Sequence, residues 1–534
     1  MQRTFDYVIV GAGSAGCVLA NRLSADPNIR VLLLEAGRAG DQHPYVQVPI
    51  GLGMLWKQRM FDWGYESDAE EGLGGRRLPH LRGKVLGGSS CVNVMAFTRG
   101  HPGDYDRWAR DYAPGWAYAD VLPFFKRVES WEGGASAYRG DSGPIGVQFA
   151  RPDDPLVEGM LAAGIAAGHP VTDDYNGERP EGIGRAQFSI HRGRRSSAAR
   201  GYLRPAMRRR NLTVRTGALV HRVVVEKQRA RAVQFSTGRT VETVEAEGEI
   251  LLCGGAFNTP QMLMLSGIGP ADELASAGIA PIVDLPVGRN LQDHACVHVQ
   301  YRRRTPGPFH RLMRADRAAL GMARAYLTGS GPATILPGGL HAFLKSDAAQ
   351  PVPDIEFLFR SAPLDADVYC SPFIAPYTDG YQMSAVNLHP QSRGSIRLQS
   401  ADPSTPVRIH FAFLTDGADI ANLRTGLAMV RALGEQPALA EFRGAELSPG
   451  PAVRTAQEID DWIRASVRSV SHPAGTCPMG TGDHAVLDPQ LRVRGVDRLR
   501  VVDASAMPDL VSAHINACVL MMAERAAEYI LSGG

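Results

Sequence analysis

The chain has 534 residues, 44% of them hydrophobic and 21% charged, with 57 Lys and Arg against 55 Asp and Glu. That length exceeds what one core supports and asks for two or more domains, and the composition is that of a globular enzyme. The balanced charge, a formal +2, gives no electrostatic case for nucleic acid, and no uncharged apolar run reaches the roughly 18 residues of a membrane span.

The first element is an apolar strand, Tyr7 to Val10, running into Gly11-x-Gly13-x-x-Gly16. An apolar helix from Cys17 to Leu23 follows, then a second strand from Val31 to Leu34 that ends in Glu35. This is the dinucleotide fingerprint in its strand–turn–helix–strand setting. The glycines permit the tight turn and bring backbone N–H groups against a pyrophosphate, the helix N-terminus adds positive potential, and Glu35 is placed to accept from ribose hydroxyls. The fingerprint suits FAD and NAD alike. Entry into the first strand at Phe5 leaves no space for a signal peptide, so a cytoplasmic protein is expected.

Residues 72–100 are glycine-rich, and within them Gly83 to Asn93 (GKVLGGSSCVN) exposes backbone N–H and hydroxyl donors suited to phosphates or a flat ring system. A flexible loop is the plainer reading of that segment alone. Residues 212–254 read as strands, the last running from Glu249 through Gly254 and Gly255 toward a helix. Asn258 and Thr259 are expected to cap that helix, with Pro260 in its first turn and its end at Ser266 to Gly269. Between 354 and 412 the alternating stretches DIEFLF, YQMSAVNLHP and GSIRLQS predict a separate antiparallel sheet. His472 sits in a loop beside Pro473 and Gly475. Residues 498–503 form a short buried strand ending at Asp503, and a terminal helix covers 517–531, with His514 just before it and Asn516 at its N-cap. The seven cysteines (17, 91, 253, 296, 370, 477 and 518) are scattered and never form CxxC, so they read as reduced thiols; neither a disulfide framework nor a metal site is expected.

Taken together, these segments resemble the glucose–methanol–choline (GMC) oxidoreductase family of FAD-dependent alcohol oxidases and dehydrogenases. GKVLGGSSCVNVMAF resembles its first signature and GAFNTPQMLMLSGIG its second, while VGRNLQDH (Val287 to His294), HPAGTCPMG (His472 to Gly480) and VVDASAMP (Val501 to Pro508) match in the family's order. The resemblance implies an α/β fold: a Rossmann-like FAD domain assembled from residues 1–152, 201–304 and 466–534, and an α+β substrate domain on an antiparallel sheet from 153–200 and 305–465. It places the catalytic pair on His472 and His514. The FAD contacts it implies are Gly11, Gly13, Ser14, Ala15 and Gly16 of the fingerprint, then Glu35 and Ala36. They continue with Gly87, Gly88 and Ser89 of the glycine loop, Asn93, Val94, Met95 and Ala96 after it, Val220, and Asp503 with Ala504. His514, Ile515 and Asn516 complete the set, where a helix N-terminus faces the anion of a reduced flavin.

Relatives that link FAD covalently use a histidine where this chain has Val92, so non-covalent FAD is implied. The expected reaction is oxidation of an alcohol, a primary one most naturally, to an aldehyde or ketone. A neutral histidine poised near neutral pH takes the hydroxyl proton, and hydride passes to flavin N5. The electron acceptor is O2, a quinone or a redox protein; HPAGTCPMG is more like dehydrogenase members such as those for choline and polyethylene glycol. The sequence His514-Ile515-Asn516-Ala517 departs from the family's usual Asn-x-Asn or Asn-Pro and leaves the substrate open. A cyanohydrin-type lyase, a photodecarboxylase and a non-catalytic flavin protein are the alternatives.

Overall fold

Two seven-stranded sheets carry the molecule, and the computed structural model describes residues 4–533. The first sheet orders its strands Leu212–Thr216, Val31–Glu35, Thr4–Val10, Thr240–Leu252, Arg229–Thr237 and Ala218–Glu226, with Leu499–Val501 paired to Thr240–Leu252. Its centre is parallel, with Val8 opposite Leu32 on one side and Ile250 on the other. Strands buried on both faces need unbroken apolar runs, and Val8 to Val10 and Val31 to Leu34 supply them. Helices Ser14–Leu23 and Asn516–Leu531 pack together on this sheet. The buried Glu524 of the second accepts from Arg22 of the first at 2.7 Å and from the Tyr202 hydroxyl at 2.7 Å.

The stretch 212–227, expected to be strand throughout, is broken at Gly217, whose φ of +67° turns Leu212–Thr216 away from Ala218–Glu226. Two capping expectations also change. The helix after the second glycine pair is Gly255–Leu265 with Gly254 at its N-cap, so Asn258 and Thr259 lie inside it and Pro260 falls in its second turn. Proline has no N–H to offer the carbonyl of Ala256 four residues back; Thr476 Oγ1 donates to that oxygen instead, at 2.8 Å. The last helix begins at Asn516 itself, and the side chain of Asn516 accepts from Ser14 Oγ at 2.7 Å rather than capping its own helix.

The second sheet is antiparallel throughout: Arg443–Ser448, Ala295–Arg303, Gly380–Asn387, Ile355–Arg360, Gly338–Leu344 and Gly182–Arg185, with Arg468–Ser469 on Ala295–Arg303. The expected change of domain at 304 falls at the far end of Ala295–Arg303, a strand that lies in this second sheet. One face packs on helix Gly417–Gly434, where Gly426 and Gly434 leave room for Ala385 and Tyr301. With side chains alternating, the other face carries Cys296, His298, His341, Glu356, Leu358, Arg360, Gln382 and Ser384, and it looks toward the first sheet. GSIRLQS forms a separate two-stranded pair, Ser395–Arg397 with Arg408–His410. Among the described residues no helix is long and apolar enough to cross a membrane, and all seven cysteines are free thiols.

Candidate active site

A cavity of about 890 Å³ runs from the C-terminal ends of the parallel strands to the polar face of the antiparallel sheet. Its first half is built from backbone. Gly11 has φ +98°, and a Cβ on Gly88 would lie 2.8 Å from the Cα of Gly13, so the fingerprint and the glycine loop touch. At Gly13, by contrast, a Cβ would find no protein atom closer than 3.7 Å: the residue borders open groove. Glu35 closes the turn beneath, accepting from the backbone N–H of Ala12 at 2.8 Å and of Gly37 at 2.7 Å. Burial pushes its carboxyl up to about 7 against those two bonds. Both oxygens expected to meet a ribose thus already hold the loop, and only their remaining lone pairs are free for hydroxyls.

Of the residues expected to meet FAD, Gly11, Gly13, Ser14, Ala15, Glu35, Ala36, Gly88, Ser89, Asn93, Val94, Ala96, Val220, Asp503, Ala504, His514, Ile515 and Asn516 line this cavity. Gly16, Gly87 and Met95 do not. A Cβ on Gly16 would stand 1.9 Å from the Gly11 carbonyl oxygen and one on Gly87 2.6 Å from Cys91 Sγ, so both are close-packing positions. Met95 is buried at φ +64°, behind the loop. Asn93 is held by Arg195, which sequence reasoning missed: its Nη1 donates to the Asn93 side chain and carbonyl, both at 2.7 Å. Asp503 ties the neighbouring helix, accepting from Gly255 N at 2.8 Å and Thr259 Oγ1 at 2.6 Å, and burial raises its pKa. A groove floored by glycines, rimmed by N–H donors and ended by the N-terminus of Asn516–Leu531 fits a dinucleotide with a flat ring system.

His472 and His514 meet where the two halves join, their rings edge to face with centroids 4.8 Å apart. The His472 loop is clamped. Its backbone N–H donates to Asp293 Oδ1 at 2.7 Å, Ser469 Oγ donates to the same carboxylate, and Arg82 donates to the Ser471 carbonyl at 2.6 Å. Burial lifts Asp293 to about 6 in spite of these bonds.

The hydrogen bonds fix the tautomer of His472. His294 Nε2 lies 3.0 Å from the Leu388 carbonyl, which only accepts, so the proton of His294 is on Nε2 and its Nδ1 is bare. His472 Nδ1 is 3.0 Å from that bare nitrogen and must donate to it, which leaves the lone pair of His472 on Nε2. Burial first, then His514, His294 and Arg82, hold His472 well below the ordinary histidine range. It is therefore neutral across physiological pH rather than poised at its middle.

His514 is held from the other side. Its Nε2 lies 3.0 Å from Glu356 Oε1, and its backbone N–H donates to Thr98 Oγ1 at 2.6 Å. His341 stacks on it at 5.4 Å and sits 3.6 Å from the same carboxylate. Burial works to raise Glu356, but His514, His341 and His294 outweigh it and keep the carboxyl below its usual range, hence charged. Sequence reasoning missed His294, His341 and Glu356 as site residues. His294 ends VGRNLQDH, and Glu356 is the one acid inside the strand Ile355–Arg360, a signal for the cavity-facing side of an otherwise apolar alternation.

The GMC oxidoreductase family matches this chain over residues 5–296 and 390–523. An oxygen-dependent choline dehydrogenase of Brucella ovis is 41% identical over 98% of this chain and 95% of its own length. The mitochondrial choline dehydrogenase of Homo sapiens is also 41% identical, over 98% of this chain and 89% of its own. Pyridoxine 4-oxidase from Mesorbium loti superimposes with a TM-score of 0.87 at 34% identity, covering 98% of each chain.

Proposed function

This chain belongs to the GMC oxidoreductase family, FAD-dependent enzymes acting on CH–OH donors, and from that premise we propose how its residues divide the work on an alcohol. His472 is the base: its Nε2, bare by the relay through His294 to the Leu388 carbonyl, takes the hydroxyl proton. His514, anchored through Nε2 to Glu356 Oε1 at 3.0 Å, hydrogen-bonds the developing alkoxide and keeps it oriented. Glu356, kept charged, fixes the His514 ring from behind and places a buried negative charge beside the site. His341, stacked on His514, limits its rotation. FAD, when bound, supplies the acceptor for the two electrons and the α-hydrogen that leave the alcohol carbon as the carbonyl forms. The residues lining the first half of the cavity would hold it, without a covalent link because Val92 offers no nucleophile.

The observation that carries this reading is the directed pair of histidines, one with its proton turned away from Nε2 toward His294 and one hydrogen-bonded to a buried acid. The Brucella relative's name supports O2 as an acceptor, with a quinone or redox protein as the other case. The test is anaerobic mixing of the FAD-loaded enzyme with a panel of alcohols in the dark, then exposure to air or a quinone analogue. Bleaching of the flavin and its recovery support alcohol oxidation; product formed with no bleaching points to a lyase.

A further inference from the structure

The far end of the cavity, away from the two histidines, carries charge that the chemistry above does not use. Glu356, Leu358 and Arg360 share one face of Ile355–Arg360, so Arg360 stands on the order of 13 Å along the strand from the acid that holds His514, with apolar Leu358 between them. Across the sheet, Arg360 pairs with Gln382, and Cys296 pairs with Arg468 of the exposed rim. Arg360 makes no ion pair among the described residues, and its Nε is buried without a hydrogen-bond partner, as is Gln382 Oε1 beside it. Burial lowers the pKa of this guanidinium, with Tyr377 and the exposed Asp365 pushing back. Arg360 is half-buried with its Nε sealed from solvent, and a partly desolvated guanidinium without a carboxylate partner is a natural place for an anion.

The other groups on the wall leave that role open. Its acids are Glu35, Asp62 and Asp503. Glu35 and Asp503 hold backbone N–H groups, and Asp62 is paired with Arg59 at 2.9 Å. His298, between Arg360 and Arg468, is kept neutral by burial, down to about 3. The face of Trp63 already carries the Lys84 ammonium, 4.3 Å from its centroid. A quaternary ammonium would meet two guanidiniums here and, on the wall, no acid free of a partner; the aromatic rings of the wall are Trp56, Trp63 and Phe257.

We propose that the substrate is an alcohol bearing a carboxylate, gripped by Arg360 with Arg468 at the rim, so that its hydroxyl carbon lies at His472 and His514 and an apolar spacer lies over Leu358. A single planar guanidinium with free donors matches a single carboxylate in the bidentate way. This rests on the alcohol-oxidation reading and names its substrate class, one distinct from the choline of the relatives' names.

The test uses the FAD-loaded enzyme with para-(hydroxymethyl)benzoate, ω-hydroxyoctanoate, the methyl ester of each, and choline. Stopped-flow flavin reduction gives the rate-to-Kd ratio for each compound. Binding of para-methylbenzoate, which carries no hydroxyl, is read separately from the flavin spectrum. The acids should exceed their esters by at least tenfold. Arg360→Gln should cut that preference, and weaken para-methylbenzoate, by on the order of ten- to a hundredfold, with Arg360→Lys keeping part of both. Equal acid-to-ester ratios in wild type and Arg360→Gln, or choline outperforming both acids, would overturn the proposal while leaving alcohol oxidation intact. If para-methylbenzoate binds through Arg360 and no alcohol reduces the flavin, the oxidation reading fails and the anion site stands.

Discussion

The parallel sheet and the antiparallel sheet meet at one cavity but bring different kinds of chemistry to it. On the parallel side the work is done by main chain: glycines that let two loops touch, N–H groups at a turn, a helix N-terminus. Side chains such as Glu35 and Asp503 are spent on holding that backbone in place. On the antiparallel side the main chain is occupied by its own ladder, and the cavity sees only side chains, delivered two residues apart from several strands: His298, Gln382, Leu358, Arg360. A backbone site can be shared by a whole family whatever the substrate, whereas a side-chain floor can be rewritten one residue at a time.

The sharpest way to break this comparison lies within the fingerprint. Gly16→Val should give no folded protein, because the Cβ alone would stand 1.9 Å from a backbone oxygen. Gly13→Val should fold, since the protein leaves 3.7 Å there, and yet purify colourless because the side chain fills the cofactor groove. Circular dichroism and the flavin-to-protein absorbance ratio separate the two outcomes; a yellow Gly13→Val protein would remove that glycine from the cofactor site. In the wild type, acid denaturation should release all the yellow colour into the filtrate, because Val92 offers no attachment; colour left on the polypeptide would contradict this.

A smaller effect is expected on the other sheet. Glu356→Gln keeps shape but removes the charge behind His514, and flavin reduction should slow by roughly ten- to a hundredfold, about 1.4 to 2.7 kcal/mol, with FAD content unchanged. A rate within twofold of wild type would make Glu356 structural only.

The smallest effect concerns pH. The base works only when deprotonated, and burial with His514, His294 and Arg82 depresses the His472 pKa. Reduction rates should therefore stay flat from pH 8 down through the ordinary histidine value of about 6.5 and fall only below it. An acid limb centred at or above that value would show that the depression is absent in the loaded enzyme.

Legibility in the sequence followed the same divide. Gly11 to Glu35 is contiguous, so the strand, turn and acid could be read in one pass, and His472 and His514 came from family motifs. The relay through His294 and the hold of Glu356 on His514 join residues 178 and 158 positions apart, and no local pattern marks such a pair. The break at Gly217 and the place of Pro260 also depended on partners elsewhere, the latter on Thr476. The strand Ala295–Arg303 looked continuous with the first domain because the chain enters it straight from VGRNLQDH; only its pairing with Gly380–Asn387 assigns it to the second sheet.

The central claim is that His472, with its lone pair directed by His294, is the base, and that His514, held by Glu356, orients the alkoxide. Anaerobic stopped-flow reduction of His472→Ala and His514→Asn, each with bound FAD confirmed, tests this most directly. We predict a loss of about two to four orders of magnitude for His472→Ala and a smaller one for His514→Asn, where an amide still hydrogen-bonds the substrate oxygen. The two losses should not add in the double variant, since both act on one proton and one alkoxide. Reduction of His472→Ala at the wild-type rate would contradict the account, and a larger loss in His514→Asn would exchange the two roles.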